Sequence, residues 1–269
     1  MNLSNIKLIA TDMDGTLLNS QGQVSDRFFE LFNKLKQQNI IFVAASGRQY
    51  FSITDKLNGI RNDITIIAEN GALTKKQEQD LLLIDLNQDE IKDLILLLRP
   101  IDEIDIVLCG KKAAYIESTN QDFKSVFKEY YNRYETVEDL TAVDDDHFLK
   151  IAVYCKHGSE TQLYPHVKHL EKDFQVKVSG DVWLDLSHLD ANKGFALSKL
   201  QDSLGITKEE TMVFGDYNND LEMFEQAAIG IAVENAHPNI KKVATHITKS
   251  NNEAGVEIIL EQLLTSKSS

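Results

Sequence analysis

Residues 6–11 (IKLIAT), followed by residues 12–18 (DMDGTLL), are the stretch that decides the fold of this chain. The first part predicts a buried strand, because apolar and β-branched residues follow one another almost without interruption. Functional groups collect at the carboxyl ends of strands in an open α/β sheet, and Asp12 and Asp14 can point towards the same edge. Gly15 allows the chain to turn sharply after them. The stretch therefore predicts a first buried strand that ends in a reactive site.

The same alternation of apolar strands and amphipathic helices recurs in the first third of the chain and near its end. Further strands are predicted at 40–45 (IIFVAA), 64–68 (ITIIA), 211–215 (TMVFG) and 229–233 (IGIAV). Helices are predicted at about 25–38, 49–57, 193–204, 221–227 and 253–264. Continuous apolar strands separated by helices are typical of a parallel sheet covered on both faces. These regions predict a Rossmann-like, doubly wound α/β core.

Residues 81–187 show a different pattern. Longer strands of alternating polarity are predicted there, with helices between them; the strands are 104–116, 148–155 and 176–186, and the helices 88–98, 123–130 and 161–171. That arrangement is typical of an antiparallel sheet covered by helices on one side. We therefore predict an α+β domain at 81–187, inserted into an α/β core formed by 1–80 and 188–269.

The composition argues against a nucleic-acid or membrane partner. The 269 residues carry 28 Lys and Arg against 42 Asp and Glu, and the resulting formal net charge of −14 opposes binding to polyanions. Two cysteines cannot form a disulfide framework. The longest apolar runs, 81–84 and 94–98, are far shorter than the roughly 20 residues that span a bilayer, and the N-terminal residues do not resemble a signal peptide. We expect a cytoplasmic protein that is a monomer or a homodimer.

Three other short motifs fall at strand ends or helix starts of the predicted core. Residues 46–48 (SGR) follow the second strand, residues 193–194 (KG) open a helix, and residues 215–220 (GDYNND) end another strand. A hydroxyl beside a glycine loop suits an oxyanion, and carboxylate and amide oxygens suit a hard divalent cation such as Mg²⁺. Taken singly, these motifs are also typical of a capped turn, a solvated lysine and an Asn/Asp turn. Their common placement favours one shared site.

The four segments, in this order, resemble the signature motifs of the haloacid dehalogenase-like phosphohydrolase superfamily. The insertion between the second and third motifs is similar to the large α+β cap of the Cof-like subgroup, and residues 69–72 (ENGA) and 251–256 (NNEAGV) also look like that subgroup. The resemblance covers nearly the whole chain. It implies a Rossmann-like core with residues 81–187, called the cap below, as a substrate-specificity domain.

The resemblance implies roles for the acidic residues. Asp12 would be the nucleophile that forms an aspartyl-phosphate, and Asp14 the general acid that protonates the leaving alcohol and later activates water. Mg²⁺ would be held by Asp12, the main-chain carbonyl of Asp14 and Asp216, with Asp220 as a weak or indirect ligand. A cation is required because an anionic carboxylate does not readily approach a phosphate dianion.

The resemblance also implies the groups that would bind the rest of the substrate. The transferred phosphoryl group would be bound by Ser46, Lys193, Asn219 and the main-chain amides of Met13 and Gly47. The subgroup more often has Thr where Ser46 stands, and Ser keeps the hydroxyl. Arg48 and Asn70 are the predicted substrate contacts, and Arg48 could reach towards the cap and touch the leaving group.

Three other features have weaker functional interpretations. His166 and His169 lie three residues apart on a predicted helix, but without a third ligand nearby we expect surface residues. Trp183 could line the substrate pocket, although we expect it in the core of the cap. Residues 144–146 (DDD) are expected in a solvated loop.

We therefore expect a Mg²⁺-dependent phosphatase of small phosphorylated metabolites, with sugar phosphates as the first candidates and phosphorylated cofactors next. A phosphotransferase or phosphomutase of the same superfamily is the enzymatic alternative, since no feature of the sequence excludes transfer to another hydroxyl. A non-catalytic module that binds phosphometabolites is the other alternative, although the intact acidic residues argue against it.

Overall fold

The computed structural model describes residues 3–268, and its strands follow the alternation of apolar segments in the sequence. In chain order the strands are β1 (Leu8–Asp12), β2 (Ile41–Ala45), β3 (Thr65–Ala68), β4 (Leu73–Lys76), β5 (Gln79–Leu83), β6 (Ile104–Gly110), β7 (Ala114–Ile116), β8 (Tyr134–Thr136), β9 (Phe148–Cys155), β10 (Gln175–Gly180), β11 (Trp183–Ser187), β12 (Thr211–Gly215), β13 (Ile229–Ala232) and β14 (His246–Ile247).

Five of the helices described here begin where a polar side chain accepts a hydrogen bond from an amide of the first turn. The helices are α1 (Asp26–Gln37), α2 (Tyr50–Lys56), α3 (Gln88–Leu98), α4 (Gln121–Phe127), α5 (Tyr164–Val167), α6 (Lys193–Leu204), α7 (Leu221–Phe224), α8 (Pro238–Val243) and α9 (Gly255–Ser268). The five are α1, α3, α4, α6 and α8. The side chain of Ser25 accepts a bond from the Phe28 amide at the start of α1, and Asn192 accepts one from Phe195 at the start of α6. These caps satisfy amides that a helix leaves unpaired, and they fix where each helix starts.

Eight strands form the larger sheet in the order β14-β13-β12-β1-β2-β3-β4-β5. The first six are parallel to one another, and β4 and β5 extend the sheet in the antiparallel sense. Side chains of α1 and α9 cover one face, and those of α6, α7 and α8 cover the other. The predicted doubly wound core is confirmed. Strand β5 of this sheet ends at Leu83, three residues beyond the predicted end of the first core segment at residue 80. The division of the chain into core and cap stays a prediction.

Six strands form the second sheet in the order β10-β11-β9-β6-β7-β8. Its neighbours are antiparallel except for the parallel pair β7 and β8. The segments predicted as single strands at 104–116 and 176–186 are hairpins, because the chain reverses at 111–113 and at 181–182. The helix predicted at 161–171 is only the short α5, with Pro165 in its first turn. A π-helical turn at Ser159–Leu163 precedes it, and a 3₁₀ helix at Lys168–Lys172 follows it.

Helices cover both faces of this second sheet rather than one, so the prediction of a single covered side is wrong. Residues of α3 pack on one face, while Phe123 and Phe127 of α4 pack on the other, beside Trp183. Aromatic side chains bury large apolar areas, and complete burial of one Phe side chain stabilises the folded state by roughly 1.5–3 kcal/mol. Trp183 is buried in this aromatic cluster, as expected, and it also lines the cavity described below, which was the alternative.

The surface features of the cap are mostly those expected. His166 and His169 are exposed. Asp144 and Asp145 are also exposed, but the carboxylate of Asp146 accepts bonds from the main-chain amide of Lys112 and the hydroxyl of Tyr115, so it closes the turn between β6 and β7. Within residues 3–268, no helix combines the length and the apolar character needed to cross a bilayer.

Candidate active site

The carboxyl ends of β1, β2 and β12 meet at one edge of the larger sheet. Asp12 is the last residue of β1 and lies opposite Ala45, the last residue of β2. Ser46 follows β2 directly, and Asp216 follows β12 directly. Parallel pairing thus brings residues that are far apart in the chain to one edge, as the sequence predicted.

Three carboxylates and one ammonium form the centre of this edge. One oxygen from each of Asp12, Asp216 and Asp220 lies within 4.8 Å of the others. Lys193, the first residue of α6, is fully buried, and its Nζ donates to Asp12 Oδ1 at 2.6 Å and to Asp220 Oδ1 at 2.7 Å. Burial works against the charge of Lys193, but the two carboxylates outweigh it and raise the pKa of the ammonium. Lys193 therefore stays charged and fixes the Asp12 side chain.

The loop after β12 is held by its own side chains. Asp220 Oδ2 accepts the main-chain amides of Asp216 at 2.9 Å and Tyr217 at 3.2 Å. Thr16 Oγ1 donates to Asp216 Oδ1 at 3.2 Å. Gly15 has a φ of +76°, and a Cβ there would lie 2.3 Å from Asp216 Oδ2. Glycine is therefore required at position 15 both by the backbone conformation and by the approach of Asp216.

The donor set fits a divalent metal ion. Asp12 Oδ2 is buried and has no hydrogen-bond partner among the described residues, 3–268. Burial raises the pKa of Asp12 to about 7, although the charge of Lys193 partly offsets this rise. Burial, together with the charges of Asp12 and Asp220, raises the pKa of Asp216 to about 9. Three clustered carboxylates with one ammonium leave negative charge uncompensated, which a cation bound by oxygen atoms would neutralise. The residues present therefore fit the acidic metal site that the sequence resemblance implies at this edge of the sheet.

Asp14 lies on the open side of the cluster and is held by Arg48. Arg48 Nε donates to Asp14 Oδ2 at 2.6 Å, and Nη2 donates to Asp14 Oδ1 at 2.5 Å, which is a bidentate pair. Arg48 Nη1 donates to the main-chain carbonyl of Glu129 at 2.5 Å, and the guanidinium lies 4.5 Å from the ring centre of Tyr130. Arg48 thus links Asp14 to the cap, while its predicted contact with a leaving group stays a prediction.

Two of the predicted phosphate donors are held so that a hydrogen remains available. Ser46 Oγ accepts the main-chain amide of Arg48 at 3.1 Å, which leaves the hydroxyl hydrogen free to donate elsewhere. Asn219 Nδ2 donates to Asn70 Oδ1 at 3.0 Å and carries a second hydrogen. Both residues are buried and lie beside one cavity.

Two other predicted residues are placed differently. The Met13 side chain is buried in the hydrophobic core, so any phosphate contact from this residue rests on its main-chain amide. Asn70 uses its side-chain amide for Asn219 and for Asp185, so its polar atoms are engaged by the protein itself. A direct contact between Asn70 and a substrate stays a prediction.

The cavity at this edge has a volume of about 730 Å³ and lies between the core and the cap. Its core side includes Asp12, Asp14, Ser46, Gly47 and Asp216, and its cap side includes Tyr130, Tyr131, Lys150, Trp183 and Asp185. Sequence analysis missed Lys150 and Asp185. The signal was available, because each is a charged residue inside an otherwise apolar strand, and charged residues are rarely buried without a partner.

Comparison with known proteins identifies the family. A family model described as haloacid dehalogenase-like hydrolase matches residues 9–260. The Escherichia coli 5-amino-6-(5-phospho-D-ribitylamino)uracil phosphatase YbjI is 34% identical over 264 residues, which cover 96% of each chain. The Bacillus subtilis phosphatase YwtE, which carries the same activity name, is 30% identical and covers 97% of this chain and 99% of its own.

A solved structure has the same fold over nearly the whole chain. A crystal structure of a Streptococcus mutans protein matches with a TM-score of 0.90 and 28% identity, and covers 97% of this chain and 99% of its own. The resemblance drawn from the four sequence motifs is confirmed by the family match and by the identity of the relatives, which are named as phosphatases. The chain belongs to the haloacid dehalogenase-like hydrolases.

Proposed function

We propose that this protein is a Mg²⁺-dependent phosphatase of small phosphorylated metabolites that acts through an aspartyl-phosphate on Asp12. The observation that carries the proposal is the state of the Asp12 carboxylate: Oδ1 is held by Lys193, while Oδ2 is buried and has no hydrogen-bond partner in the part of the chain that the structure describes. A fixed carboxylate with one free oxygen is suited to attack an electrophile placed in the adjoining cavity.

Asp12, Asp216 and the main-chain carbonyl of Asp14 would hold the Mg²⁺ ion, with Asp220 supporting the loop and the ion indirectly. The ion would neutralise charge on the phosphoryl oxygens and so permit the approach of an anionic nucleophile. Asp220 has both oxygens engaged, by Lys193 and by two main-chain amides, which fits the indirect role. The choice of Mg²⁺ rests on the all-oxygen ligand set.

The phosphoryl group would be held by donors that the protein fixes beforehand. The Ser46 hydroxyl and the second hydrogen of the Asn219 amide are available, and Lys193 supplies the positive charge. The main-chain amides of Met13 and Gly47 complete the proposed set. Donors fixed before the reaction stabilise the charge that develops on the phosphoryl oxygens without reorganisation.

Asp14 would transfer the protons. Asp12 Oδ2 forms a bond to phosphorus as the bond to the ester oxygen breaks, and the electron pair that remains on that oxygen takes a proton from Asp14. Asp14 then takes a proton from water, whose oxygen attacks phosphorus and releases inorganic phosphate and the Asp12 carboxylate. The pairing of Asp14 with Arg48 and the cap makes this side chain sensitive to how the cap is seated.

The first substrate to test is 5-amino-6-(5-phospho-D-ribitylamino)uracil, the substrate in the names of two relatives at 34% and 30% identity. The cavity of about 730 Å³ has room for much more than a phosphate, and Tyr130, Tyr131 and Trp183 line its cap side. Aromatic walls suit a substrate that carries a ring. Sugar phosphates form the second group to test.

We assign substrate selection to the cap. We place the start of the cap at about residue 84 rather than 81, because β5 pairs with β4 in the larger sheet.

The test is release of inorganic phosphate from p-nitrophenyl phosphate and from the ribitylaminouracil phosphate, in Mg²⁺ and in EDTA. We expect release that requires Mg²⁺ and disappears in Asp12→Asn. Asp139→Asn, which changes a surface carboxylate paired with Arg99, is the matched control and should retain full activity. A wild-type protein that releases no phosphate from either ester or from a panel of sugar phosphates would contradict the proposal.

The alternatives predict other products. A phosphomutase would convert a sugar phosphate to a positional isomer without releasing phosphate, and ³¹P NMR of the reaction mixture distinguishes the two. A binding module would bind phosphate without turnover.

The monomeric or dimeric state and the cytoplasmic location stay predictions. Sedimentation of the purified protein tests the oligomeric state.

A further inference from the structure

The cap and the core meet at a second buried cluster of polar side chains, which the proposed chemistry does not use. Lys150 lies in β9 and Asp185 in β11 of the cap sheet, and Glu69 and Asn70 follow β3 of the core sheet. All four are buried, with exposed fractions of 1–4%. Burial of charged side chains is costly, so a cluster of this kind is expected to have a function or to fix a geometry.

Lys150 reaches from the cap to the loop after β2. Its Nζ donates to the main-chain carbonyl of Gly47 at 2.7 Å and to Asp185 Oδ2 at 3.0 Å, and it lies 3.1 Å from Glu69 Oε2. Burial works against its charge, but Asp185 and Glu69 outweigh it and raise the pKa of the ammonium. Because protein oxygens surround the ammonium, Lys150 is placed to hold the loop rather than to bind a substrate.

The carbonyl that Lys150 holds belongs to the peptide group between Gly47 and Arg48. The other end of the same planar group is the Arg48 amide, which donates to Ser46 Oγ at 3.1 Å. Lys150 therefore fixes the orientation of this peptide, and the peptide fixes which lone pair of the Ser46 hydroxyl is occupied. The direction in which Ser46 can donate its hydrogen follows from that contact.

A second connection runs from the same lysine to Asn219. Asp185 Oδ2 accepts from both Lys150 and Asn70 Nδ2, and Asn70 Oδ1 accepts from Asn219 Nδ2 at 3.0 Å. This contact orients the amide of Asn219 and uses one of its two hydrogens. The cluster thus ends on Ser46 at one side and on Asn219 at the other, and both line the cavity.

We propose that Lys150 is a positioning residue by which the cap orients two phosphate donors of the core, the Ser46 hydroxyl and the Asn219 amide. The inference rests on the proposed function, because it assigns these donors to the phosphoryl group. It makes the affinity of the core for phosphate depend on a cap residue whose ammonium is held by protein oxygens. A cap that only encloses the leaving group would leave the affinity for inorganic phosphate unchanged.

The chain offers a matched control for this inference. Lys177 of the cap strand β10 is hydrogen-bonded to Glu222 of the core helix α7, which is also an ion pair between cap and core. The ammonium of Lys177 is paired with Glu222 rather than with the Ser46 loop, and its side chain is 23% exposed. Lys177→Met therefore removes a link between cap and core without removing the link to the phosphate donors.

The experiment is calorimetric titration of inorganic phosphate in the presence of Mg²⁺ into wild type, Lys150→Met and Lys177→Met. We expect the dissociation constant for phosphate to rise about tenfold in Lys150→Met, as for loss of a charged hydrogen bond that fixes a donor, and to stay within twofold in Lys177→Met. The value of kcat/KM for p-nitrophenyl phosphate should fall by a similar factor in Lys150→Met. If Lys150→Met does not fold, Lys150→Met/Asp185→Asn removes the ammonium together with one buried carboxylate charge, and the same weakening is expected.

The outcomes separate this inference from the proposed function. Unchanged phosphate affinity in the folded Lys150 variant, or equal weakening in both lysine variants, would overturn the positioning role. A wild-type protein that binds phosphate but hydrolyses no ester would overturn only the proposed phosphatase activity, because phosphate binding needs no turnover. Weakening confined to the Lys150 variants supports the inference in either case.

Discussion

Two buried clusters built from the same residue types lie on either side of the cavity, and they differ in the ratio of carboxylates to ammonium groups and in what the ammonium holds. The cluster at the end of β1 has one ammonium, Lys193, for three carboxylates, and Asp12 Oδ2 has no hydrogen-bond partner among residues 3–268. The cluster between cap and core has one ammonium, Lys150, for two carboxylates, and that ammonium also holds the main-chain carbonyl of Gly47. Glu69 is paired with Lys150 by charge at 3.1 Å, but in the described residues neither of its carboxylate oxygens has a hydrogen-bond partner.

The comparison teaches how a reactive group of charges differs from a positioning one. Excess carboxylate and a free oxygen leave the first cluster ready to bind a cation and to attack an electrophile. In the second cluster the lysine is surrounded by protein oxygens, which restrict its motion and hold two chain segments together. Residue types alone do not separate the two cases, and neither does a buried oxygen without a hydrogen-bond partner, because within residues 3–268 both carboxylate oxygens of Glu69 are also of this kind. The ratio of carboxylates to ammonium groups does separate them.

The largest expected effect comes from replacing one buried carboxylate by an amide in each of the two clusters. Asp12→Asn should reduce kcat/KM by about 10³-fold or more, because it removes the nucleophilic oxygen. Glu69→Gln also replaces a buried acid by an amide, but it should reduce kcat/KM by less than tenfold, because Glu69 has no chemical step to perform. Steady-state phosphate release for both variants is the measurement, with circular dichroism spectra to establish that both fold. Equal losses in the two variants would erase the proposed distinction.

The second prediction concerns the two lysines and the free energy of unfolding. Lys193→Met and Lys150→Met should each lower it by about 3–5 kcal/mol in EDTA, because each leaves buried carboxylates without their cation. Mg²⁺ should narrow the difference in stability between wild type and Lys193→Met, since it binds the carboxylates left behind. It should leave the difference between wild type and Lys150→Met unchanged, because both proteins keep the Asp12 cluster and gain equally from the ion. Urea denaturation of all three proteins with and without Mg²⁺ measures this. A difference from wild type that narrows equally in both variants would place a cation in both clusters.

The third prediction uses pH. Burial raises the pKa of Asp12 to about 7 and that of Asp216 to about 9, so the metal-free folded protein holds protons that the unfolded chain releases near pH 4. The stability that these protons provide is fully present below pH 4 and is lost as the pH rises to about 9, by at most about 1.4 kcal/mol per pH unit for each proton.

Urea denaturation in EDTA between pH 4 and 9 tests this dependence. In Asp216→Asn the fall between pH 7 and 9 should be shallower, because the group that titrates there is gone. Mg²⁺ should also flatten the curve of the wild-type protein, since the ion replaces the protons. A metal-free stability that rises across this range would contradict the pKa shifts.

The smallest expected effect concerns the partly exposed ion pair between cap and core. Lys177→Met should lower the free energy of unfolding by less than about 1 kcal/mol, because ion pairs that water reaches contribute little. Its partner Glu222 remains partly exposed at 28% and can be solvated when the lysine is absent. Thermal denaturation at constant Mg²⁺ is sufficient. If Lys177→Met lowered the free energy of unfolding as much as Lys150→Met, exposed and buried ion pairs between cap and core would contribute equally to stability, and the distinction between them would fail.

Several features of this protein were decided by the sequence by itself. The apolar run before Asp12 and the strands at 40–45 and 211–215 were sufficient to predict a doubly wound sheet, because continuous hydrophobic strands must be covered on both faces. The position of Asp12, Ser46 and Asp216 after these strands predicted that they would meet, since the carboxyl ends of parallel strands share one edge. Both predictions depend on local pattern and on a general rule of topology.

Only the tertiary structure decided which charges pair. Lys193 is 181 positions from Asp12, and Lys150 is 103 positions from Gly47, so no local pattern specifies either contact. The hairpins at 104–116 and 176–186 and the packing of α4 on the second face also depend on how the cap strands pair across the chain. Long-range contacts of this kind follow from burial and packing of the whole molecule, because the cost of burying a charge is offset only by the partner that the fold brings to it.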